Sequence, residues 1–417
     1  MRIQPVLQFG DFQFDPEIPL LTRGTRSLEV SPKALQILAV LVKNAGRVVS
    51  KDDLLNIVWP DTVVEEGNLA VHISALRKAL RTGAAVEYIE TIPKRGYRFA
   101  ASANRQGERC SVAGHYLEQQ TVDGCRRAAA EYRECLKTEP HNAAAKTGLA
   151  NTLLFRMVLG DLGRNEAVPR AQALLQEANQ IDPACAGVHL SRSRLLCLGH
   201  WQWERAQEEL QQALELAGSD ETQYVVGAWQ GCYLVERGEL EKGLQRLRWA
   251  SAACPLSPFI ARFLAEAHFL ARDFPGCVAV SRRALRLHPH CWLLYRSLGR
   301  ALTALGQYDQ ARRYYRRATL LYNAPQAGLL AELACLEAAA GNLNSARHLL
   351  ESLPSAVSPV SIARIHTALG NRDRALDCLE QACANRDWSL SALKQDPRFD
   401  PLRTAHRFRR VMAEVGI

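Results

Sequence analysis

A pattern that returns about every 34 residues restricts the fold of this chain more than any other feature. In its clearest copy, residues 292–325, Gly299 lies in the first of two predicted helices, and Ala311, Tyr315 and Ala318 lie in the second. Similar stripes recur at Ala171, Leu175 and Ala178; at Ala206, Leu210 and Ala213; at Leu247 and Ala250; at Ala284; at Ala346, Leu350 and Leu353; and at Ala375, Leu379 and Ala382. One stripe is weak, because apolar helical spacing is common, but seven in register predict stacked helix pairs.

The spacing is typical of tetratricopeptide repeats, in which a small residue lies where paired helices touch and an aromatic-plus-alanine stripe receives the next repeat. We therefore predict an all-α tetratricopeptide-repeat solenoid over residues 104–385. Residues 386–417 lie beyond the repeats and are predicted to form a C-terminal tail that caps the stack, since an end repeat would otherwise expose its stacking face. The segment 150–169 is longer than a repeat turn needs and predicts an extended helix or a loop.

Residues 1–103 differ from the repeats, because strand-like and helical periods alternate there. The runs LQFGDFQFD, PLLTR and RSLEV predict a small antiparallel sheet. Ser31 and Pro32 are suited to the start of a first helix, and Ser50 with Asp53 has capping-box spacing for a second. The runs VEYIET and GYRFA flank a short basic turn and predict a hairpin. Sheet, two helices, loop, third helix and hairpin together outline an α+β winged helix.

The predicted third helix contains LAVHISALRKALR and has two distinct faces. Its apolar stripe consists of Leu69, Ile73, Leu76 and Leu80. The opposite face carries Val71, Ser74, Ala75 and Lys78, with Arg77 and Arg81 beside it. His72 lies towards the buried side, and Tyr97 and Phe99 of the hairpin are predicted to be core residues. Most basic helix faces are merely solvated, so the surrounding fold has to decide what this face does.

Composition excludes several classes of protein. The chain has 417 residues, 47% of them hydrophobic, and a net charge of +9, which permits an anionic partner without requiring one. No apolar run approaches the ~18–20 residues of a membrane span, and we expect a cytoplasmic protein. The twelve cysteines form no CxxC, and HPHC (288–291) lacks zinc-ligand spacing, so we expect no metal and no cofactor. Phosphate-loop, dinucleotide-binding and hydrolase motifs are missing, so we expect no enzyme and no catalytic residues.

The N-terminal region resembles the OmpR/PhoB-type winged-helix DNA-binding domain. The resemblance rests on VSPKALQILAVLVKNAGRVVSKDDLLNIVW, VEEGNLAVHISALRKAL and YIETIPKRGYRF. With tetratricopeptide repeats behind it, and with no receiver domain and no membrane span, the chain is most similar to the HilA-type bacterial transcriptional regulators. The tail DWSLSALKQDPRFDPLR also resembles the closing segment of regulators with such repeats.

The resemblance implies that a recognition helix, residues 65–82, enters the major groove and that a wing, residues 86–100, enters the minor groove. The implied DNA-binding residues are Asn68, Val71, Ser74, Ala75, Arg77, Lys78, Arg81, Thr91, Lys94, Arg95 and Arg98. Ser74 and Ala75 stand where the phosphate-response branch carries arginines, which leaves few side chains for bidentate base contacts. Arg77 could instead pair with an internal carboxylate.

The same resemblance predicts the partners. The loop between the second and third helices faces RNA polymerase in the family, which makes Asp61 and Thr62 candidate contacts. We expect three partners: promoter DNA, RNA polymerase, and a protein or peptide that binds in the repeat groove. A second copy of this chain is one candidate for the last of these. A function of a different class stays open: a protein-interaction scaffold whose winged helix binds protein.

Overall fold

The computed structural model describes residues 7–9, 12–15, 20–23, 26–59, 64, 66–81, 88–93, 95–99, 110, 112–114, 116–117, 119–218, 221–255, 257–322, 327–354 and 357–417. The chain divides into two compact units, Met1–His115 and Tyr116–Ile417. The domain boundaries expected at residues 103 and 385 stay predictions.

Two small antiparallel sheets frame the first unit. The first contains β1 (Leu7–Phe9), β2 (Phe12–Asp15), β3 (Leu20–Arg23) and β4 (Arg26–Ser27) in sequential order. The second has the order β5-β7-β6 and is built from β5 (Val48–Val49), β6 (Ile89–Ile92) and β7 (Gly96–Phe99). In the first sheet Phe14 pairs with Leu21, and both side chains are fully buried. In β2 both Phe12 and Phe14 are fully buried, so alternate residues of this strand face the core.

The first unit also contains three helices, α1 (Pro32–Lys43), α2 (Lys51–Val58) and α3 (Glu66–Ala79), with β5 between α1 and α2. Both predicted caps are confirmed, since the Ser31 hydroxyl accepts a hydrogen bond from the Ala34 amide at 3.3 Å and the Ser50 hydroxyl accepts one from the Asp53 amide at 3.0 Å. Such caps satisfy amides that the first helical turn leaves without partners. The sheets and helices share one apolar core, and the winged-helix prediction is confirmed.

The second unit consists of helices in antiparallel pairs. A first helix, α4 (Val122–Thr138), precedes them. The pairs are α5 (Ala143–Val158) with α6 (Arg164–Ile181); α7 (Ala186–Leu195) with α8 (Trp203–Leu216); α9 (Glu221–Glu236) with α10 (Leu240–Ala253); α11 (Pro258–Leu270) with α12 (Phe274–Leu287); α13 (Trp292–Ala304) with α14 (Tyr308–Tyr322); α15 (Ala327–Ala339) with α16 (Leu343–Glu351); and α17 (Pro359–Ala368) with α18 (Arg372–Ala384). One π-helical turn, Leu196–His200, extends α7.

The predicted stacking residues hold these pairs together. Ala311, Tyr315 and Ala318 are buried, and a Cβ atom at Gly299 would lie 2.7 Å from the Tyr315 ring. The small residue is therefore needed where the two helices of a pair touch. The segment 150–169, predicted as an extended helix or a loop, is instead the end of α5, a short turn at residues 159–163 and the start of α6, in which Pro169 lies.

The C-terminal segment, residues 386–417, contacts more of the stack than its last pair. It contains two 3-10 turns, Trp388–Ala392 and Pro397–Leu402, and a final helix α19 (His406–Val415). The Trp203 indole donates a hydrogen bond to the Val415 carbonyl at 2.7 Å, and Arg272 pairs with Asp400 at 2.7 Å. The segment therefore ties α8, α17 and α18 to one another through its own core residues.

Candidate nucleic-acid interface

Helix α3 is buried on one side and open to solvent on the other. Leu69, Ile73, Leu76 and Leu80 are at most 2% exposed and lie in the core of the first unit. The opposite face is exposed at Asn68, Val71, Ser74, Ala75, Lys78 and Arg81. Val71, the apolar member of this face, is 66% exposed. The outer face is available to a partner, and its cations Lys78 and Arg81 form no ion pair within the described residues.

Arg77 is placed differently from the rest of this face. Its guanidinium donates hydrogen bonds to the Ile89 carbonyl at 2.9 and 2.7 Å and to the Thr91 hydroxyl at 2.8 Å. The acceptor is thus a strand carbonyl, whereas the sequence suggested a carboxylate as the alternative to DNA. The contact fixes α3 against β6, so that the helix and the hairpin keep one relative position. Local sequence gave no signal for it, because it depends on how β6 packs beside α3.

The hairpin consists of β6 and β7. At Gly96, the first residue of β7, the backbone passes very close to the backbone of Val49 and Ser50. A Cβ atom there would collide with the Val49 carbonyl and lie 2.8 Å from Ser50 Cα, and the φ angle is +141°. Only glycine fits this combination. At the tip Arg95 is exposed, and its amide closes the turn on the Ile92 carbonyl at 3.0 Å. Lys94 lies outside the described residues.

Arg98 of the hairpin also has a partner. It lies directly across from Glu90 in the β6–β7 register, and the two side chains form an ion pair at 2.5 Å while each stays more than a third exposed. Such a pair contributes little stability and can exchange for a phosphate. Tyr97 and Phe99 are buried, which confirms their predicted core positions.

The other flank of α3 is supported by α1 and α2. His72 is half-buried, lies 3.3 Å from the Ser31 hydroxyl and packs 5.7 Å from the Trp59 ring. Lys33 donates to the Val58 carbonyl at 2.7 Å and covers the same Trp59 ring. These contacts hold α3 in place without using its outer face. Asp61 and Thr62, the candidate polymerase contacts, lie outside the described residues.

The described residues offer no sign of a metal site, a disulfide or a membrane span. No group of three His, Cys, Asp or Glu side chains there could hold a metal ion, and none of the twelve cysteines forms a disulfide. Among the helices that the structure describes, none has both the length and the apolar composition of a membrane span. The site that remains is the exposed face of α3 with its adjoining hairpin.

Comparisons with known proteins match both units. A family model described as "Transcriptional regulatory protein, C terminal" matches residues 24–99, and one described as "Tetratricopeptide repeat" matches residues 294–326. The transcriptional activator CadC of Escherichia coli (strain K12) is 34% identical over 97 residues, which are 23% of this chain and 19% of CadC. The transcriptional regulator HilA of Salmonella typhi is 40% identical over 91 residues, which are 22% of this chain and 16% of HilA.

Among solved structures, the DNA-binding domain of Escherichia coli CadC matches with 32% sequence identity and a TM-score of 0.22, covering 24% of this chain and 95% of that domain. The sequence matches to the full-length regulators cover less than a fifth of the length of CadC and of HilA. They show that the chain carries an N-terminal OmpR/PhoB-type winged-helix DNA-binding domain, homologous to that of CadC and HilA, and a region of tetratricopeptide repeats.

Proposed function

We propose that this chain is a cytoplasmic, non-enzymatic transcription regulator that binds promoter DNA through α3 and the β6–β7 hairpin. The observation that carries the proposal is the outer face of α3, where Val71, Lys78 and Arg81 are exposed on a helix whose other side is locked into the core. A helix of this kind fits the major groove, where base edges can be distinguished.

The roles of the individual side chains follow from their chemistry. Asn68 can form a bidentate contact with adenine, and Val71 can contact a thymine methyl group. Lys78 and Arg81 are flexible cations that hold phosphates, which gives affinity without sequence preference. Ser74 and Ala75 are small and let the helix approach the base edges closely.

The hairpin supplies the second contact in this proposal. Arg95, together with the neighbouring Lys94, suits the narrow minor groove, whose negative potential attracts cations. Arg77 and Thr91 bond to each other, so we assign them a positioning role between helix and hairpin. Arg98 would have to release Glu90 before it could reach a phosphate.

The proposal also includes RNA polymerase as a partner of the loop that contains Asp61 and Thr62. Exchange of Asp61 for Ala should then leave promoter occupancy unchanged and lower transcription from that promoter, measured by footprinting and a reporter in parallel. A loss of occupancy in Asp61→Ala would instead give the loop a structural role.

The repeats are proposed to mediate assembly with a protein partner or with a second copy of the chain. The DNA-binding unit carries thirteen Lys and Arg against eleven Asp and Glu over residues 1–103, which is only weakly basic. A second unit held nearby raises the effective concentration on DNA and offsets this weakness. A fragment that contains only the compact unit 1–115 should therefore bind DNA more weakly than the full chain. Equal affinity, with a monomeric full chain, would contradict coupling through assembly.

Binding of labelled duplexes by the full chain tests the DNA-binding proposal. Anisotropy titrations should compare the region upstream of the chain's own gene with a scrambled duplex of equal composition. We expect a preference for the upstream duplex and strong weakening of both complexes by salt. If neither duplex binds at low salt, the winged helix is not a DNA reader here, and the scaffold interpretation replaces it.

A further inference from the structure

The first helices of successive repeats form one continuous surface, which we call the inner wall. Its helices are α7, α9, α11, α13, α15 and α17, and each contacts the next in the series. Charged side chains occupy the same repeat position on neighbouring helices of this wall. Arg262 on α11 and Arg296 on α13 are one repeat length apart, and so are Glu266 and Arg300. This register was visible in the sequence and marks a shared surface that the stacking stripes do not include.

The carboxylates along the wall are already committed to particular arginines. Glu266 accepts two hydrogen bonds from Arg300, at 3.0 and 2.7 Å. Glu332 pairs with Arg398 at 3.1 Å. Asp396 of the C-terminal segment, which is 1% exposed, pairs with Arg364 at 3.1 Å and Arg398 at 2.7 Å.

A fourth carboxylate, Glu236, contributes less negative charge. Burial raises the pKa of Glu236 to about 7, with a hydrogen bond to Ser391 acting in the opposite direction. It is therefore only partly ionised near neutral pH. The wall thus holds more arginines than full negative charges.

Three arginines have no hydrogen-bond acceptor among the residues that the structure describes: Arg194 on α7, Arg262 and Arg296. The Nε atom of each is buried and unsatisfied, and so is the indole nitrogen of Trp229 on α9. Arg194 is only 8% exposed, whereas Arg262 and Arg296 keep part of their surface accessible. All four unsatisfied groups are donors, so the missing partner is an acceptor.

Aromatic rings hold these guanidiniums in place. Arg194 Cζ lies 4.7 Å from the Trp229 ring centre and 5.6 Å from that of Phe259. Arg262 Cζ lies 4.2 Å from the Phe263 ring centre and 5.6 Å from that of Phe259. Because both cations contact Phe259, they are close neighbours. A guanidinium stacked on a ring keeps its N–H groups, which lie in its own plane, available for an oxyanion.

The free-energy cost of leaving such groups unpaired is large. An isolated buried cation loses hydration that neither the rings nor distant charges replace. Burial lowers the pKa of Arg194 and that of Arg296 to about 10; Arg262 repels both cations, while Glu266 and Glu332 partly offset the shift at Arg296. Both nevertheless stay charged at neutral pH, so a counter-charge at this place would stabilise the fold.

We propose that Arg194 and Arg262, which both contact Phe259, form with the Trp229 indole a binding site for a small oxyanion, namely the phosphate or carboxylate group of a metabolite. The site lies on the inner wall of the repeats and is independent of the DNA-binding face. Its occupant would act as an effector of the repeat unit, since it would join three successive repeats, those of α7, α9 and α11, through one charge.

Thermal unfolding of the full chain tests the site. Inorganic phosphate and succinate are added separately, at ionic strength matched with sodium chloride. Wild-type protein should gain a few degrees in Tm with at least one of them, as expected for saturating binding to the folded state. A response to phosphate alone assigns a phosphate ligand, and a response to succinate alone assigns a carboxylate.

Two variants separate binding from a general salt effect. In Arg262→Met the anion-dependent gain should disappear, while the Tm in chloride should equal or exceed that of the wild type, because an unpaired buried cation has been removed. Arg283→Met, which changes an exposed arginine on α12, should respond like the wild type. The proposal is overturned if neither anion raises the wild-type Tm above that in chloride, if Arg262→Met keeps the gain, or if this variant is markedly less stable in chloride.

Discussion

Unpaired cations occur in both units of this molecule, but in opposite surroundings. On the outer face of α3, Lys78 and Arg81 are exposed and hydrated, so they cost almost nothing while they wait for a partner. On the inner wall of the repeats, Arg194 and Arg296 are desolvated, and their missing partners cost much more. The first arrangement suits a long polyanion that arrives from solution. The second suits a small anion that becomes part of the fold.

The same contrast applies to the ion pairs. Arg98 and Glu90 pair on the exposed hairpin, whereas Glu332 and Arg398 pair in the interior. Loss of a partner should therefore have a small effect on stability in the first unit and a large effect in the second.

The largest effect is expected from Glu332→Gln. Arg398 and Arg300 lie at 3.1 and 3.7 Å from this carboxylate and would each lose one of two counter-charges, since Asp396 and Glu266 stay in place. We expect a loss of about 2–3 kcal/mol in the free energy of unfolding, measured by denaturant titration of the full chain. Glu208→Gln, an exposed change on α8, is the matched control and should lie within about 0.5 kcal/mol of the wild type. Equal stability of the two variants would contradict the contrast.

The pH dependence of that difference sharpens the comparison. Burial would raise the pKa of Glu332, but the arginines Arg398 and Arg300 hold it at about 2, below its ordinary value of 4.5. A depressed carboxyl pKa stabilises the fold above pH 4.5 and loses this contribution as pH falls towards 2. The stability gap between wild type and Glu332→Gln should therefore narrow over this pH range. A gap that does not change with pH would mean that the carboxylate is not ionised in the folded state.

Sequence reasoning predicted the parts of the molecule that depend on local pattern. The Ser31 and Ser50 caps, the Leu stripe of α3 and the Gly299–Tyr315 contact all follow from spacing along one helix or one pair. The Arg77 contact did not follow, because it joins a helix to a strand through a backbone carbonyl that no residue type identifies.

The contacts of the C-terminal segment were beyond sequence reasoning for a similar physical reason. Its residues meet helices that lie far away in the chain, as Trp203 and Val415 do. Such contacts depend on the three-dimensional path of the chain and leave no pattern in the local sequence. The inner wall did leave a signal in the sequence, because Arg262 and Arg296 are one repeat length apart. That signal lies in charged positions, whereas the repeat pattern was read from apolar ones.

An intermediate effect is expected from Arg77→Ala. The change leaves the Ile89 carbonyl without its side-chain donors, so the first unit should lose about 1–3 kcal/mol of stability. Hydrogen exchange of the β6 amides measures whether the hairpin loosens from α3. Arg47→Ala is the control, since Arg47 is exposed and lies beside the end of β7 away from the hairpin tip. Unchanged exchange in Arg77→Ala would remove the proposed positioning role.

The smallest effect is expected from Val71→Ala. Loss of an apolar contact with a thymine methyl group should reduce discrimination by about 1 kcal/mol at one base pair and leave binding to scrambled duplex unchanged. Competition titrations with single-base variants of the preferred duplex measure this. An equal loss on all duplexes would mean that Val71 supports the helix and does not read sequence.

The salt dependence of DNA binding tests most directly whether the outer face of α3 holds phosphates. The slope of log K against log salt should be determined for the full chain, for the double variant Lys78→Ala/Arg81→Ala and for Arg47→Ala. The double variant should flatten the slope by about 2 and lower the affinity for every duplex on the order of tenfold near physiological salt, while Arg47→Ala matches the wild type. An unchanged slope and affinity in the double variant would contradict the assignment of α3 as the DNA-binding helix.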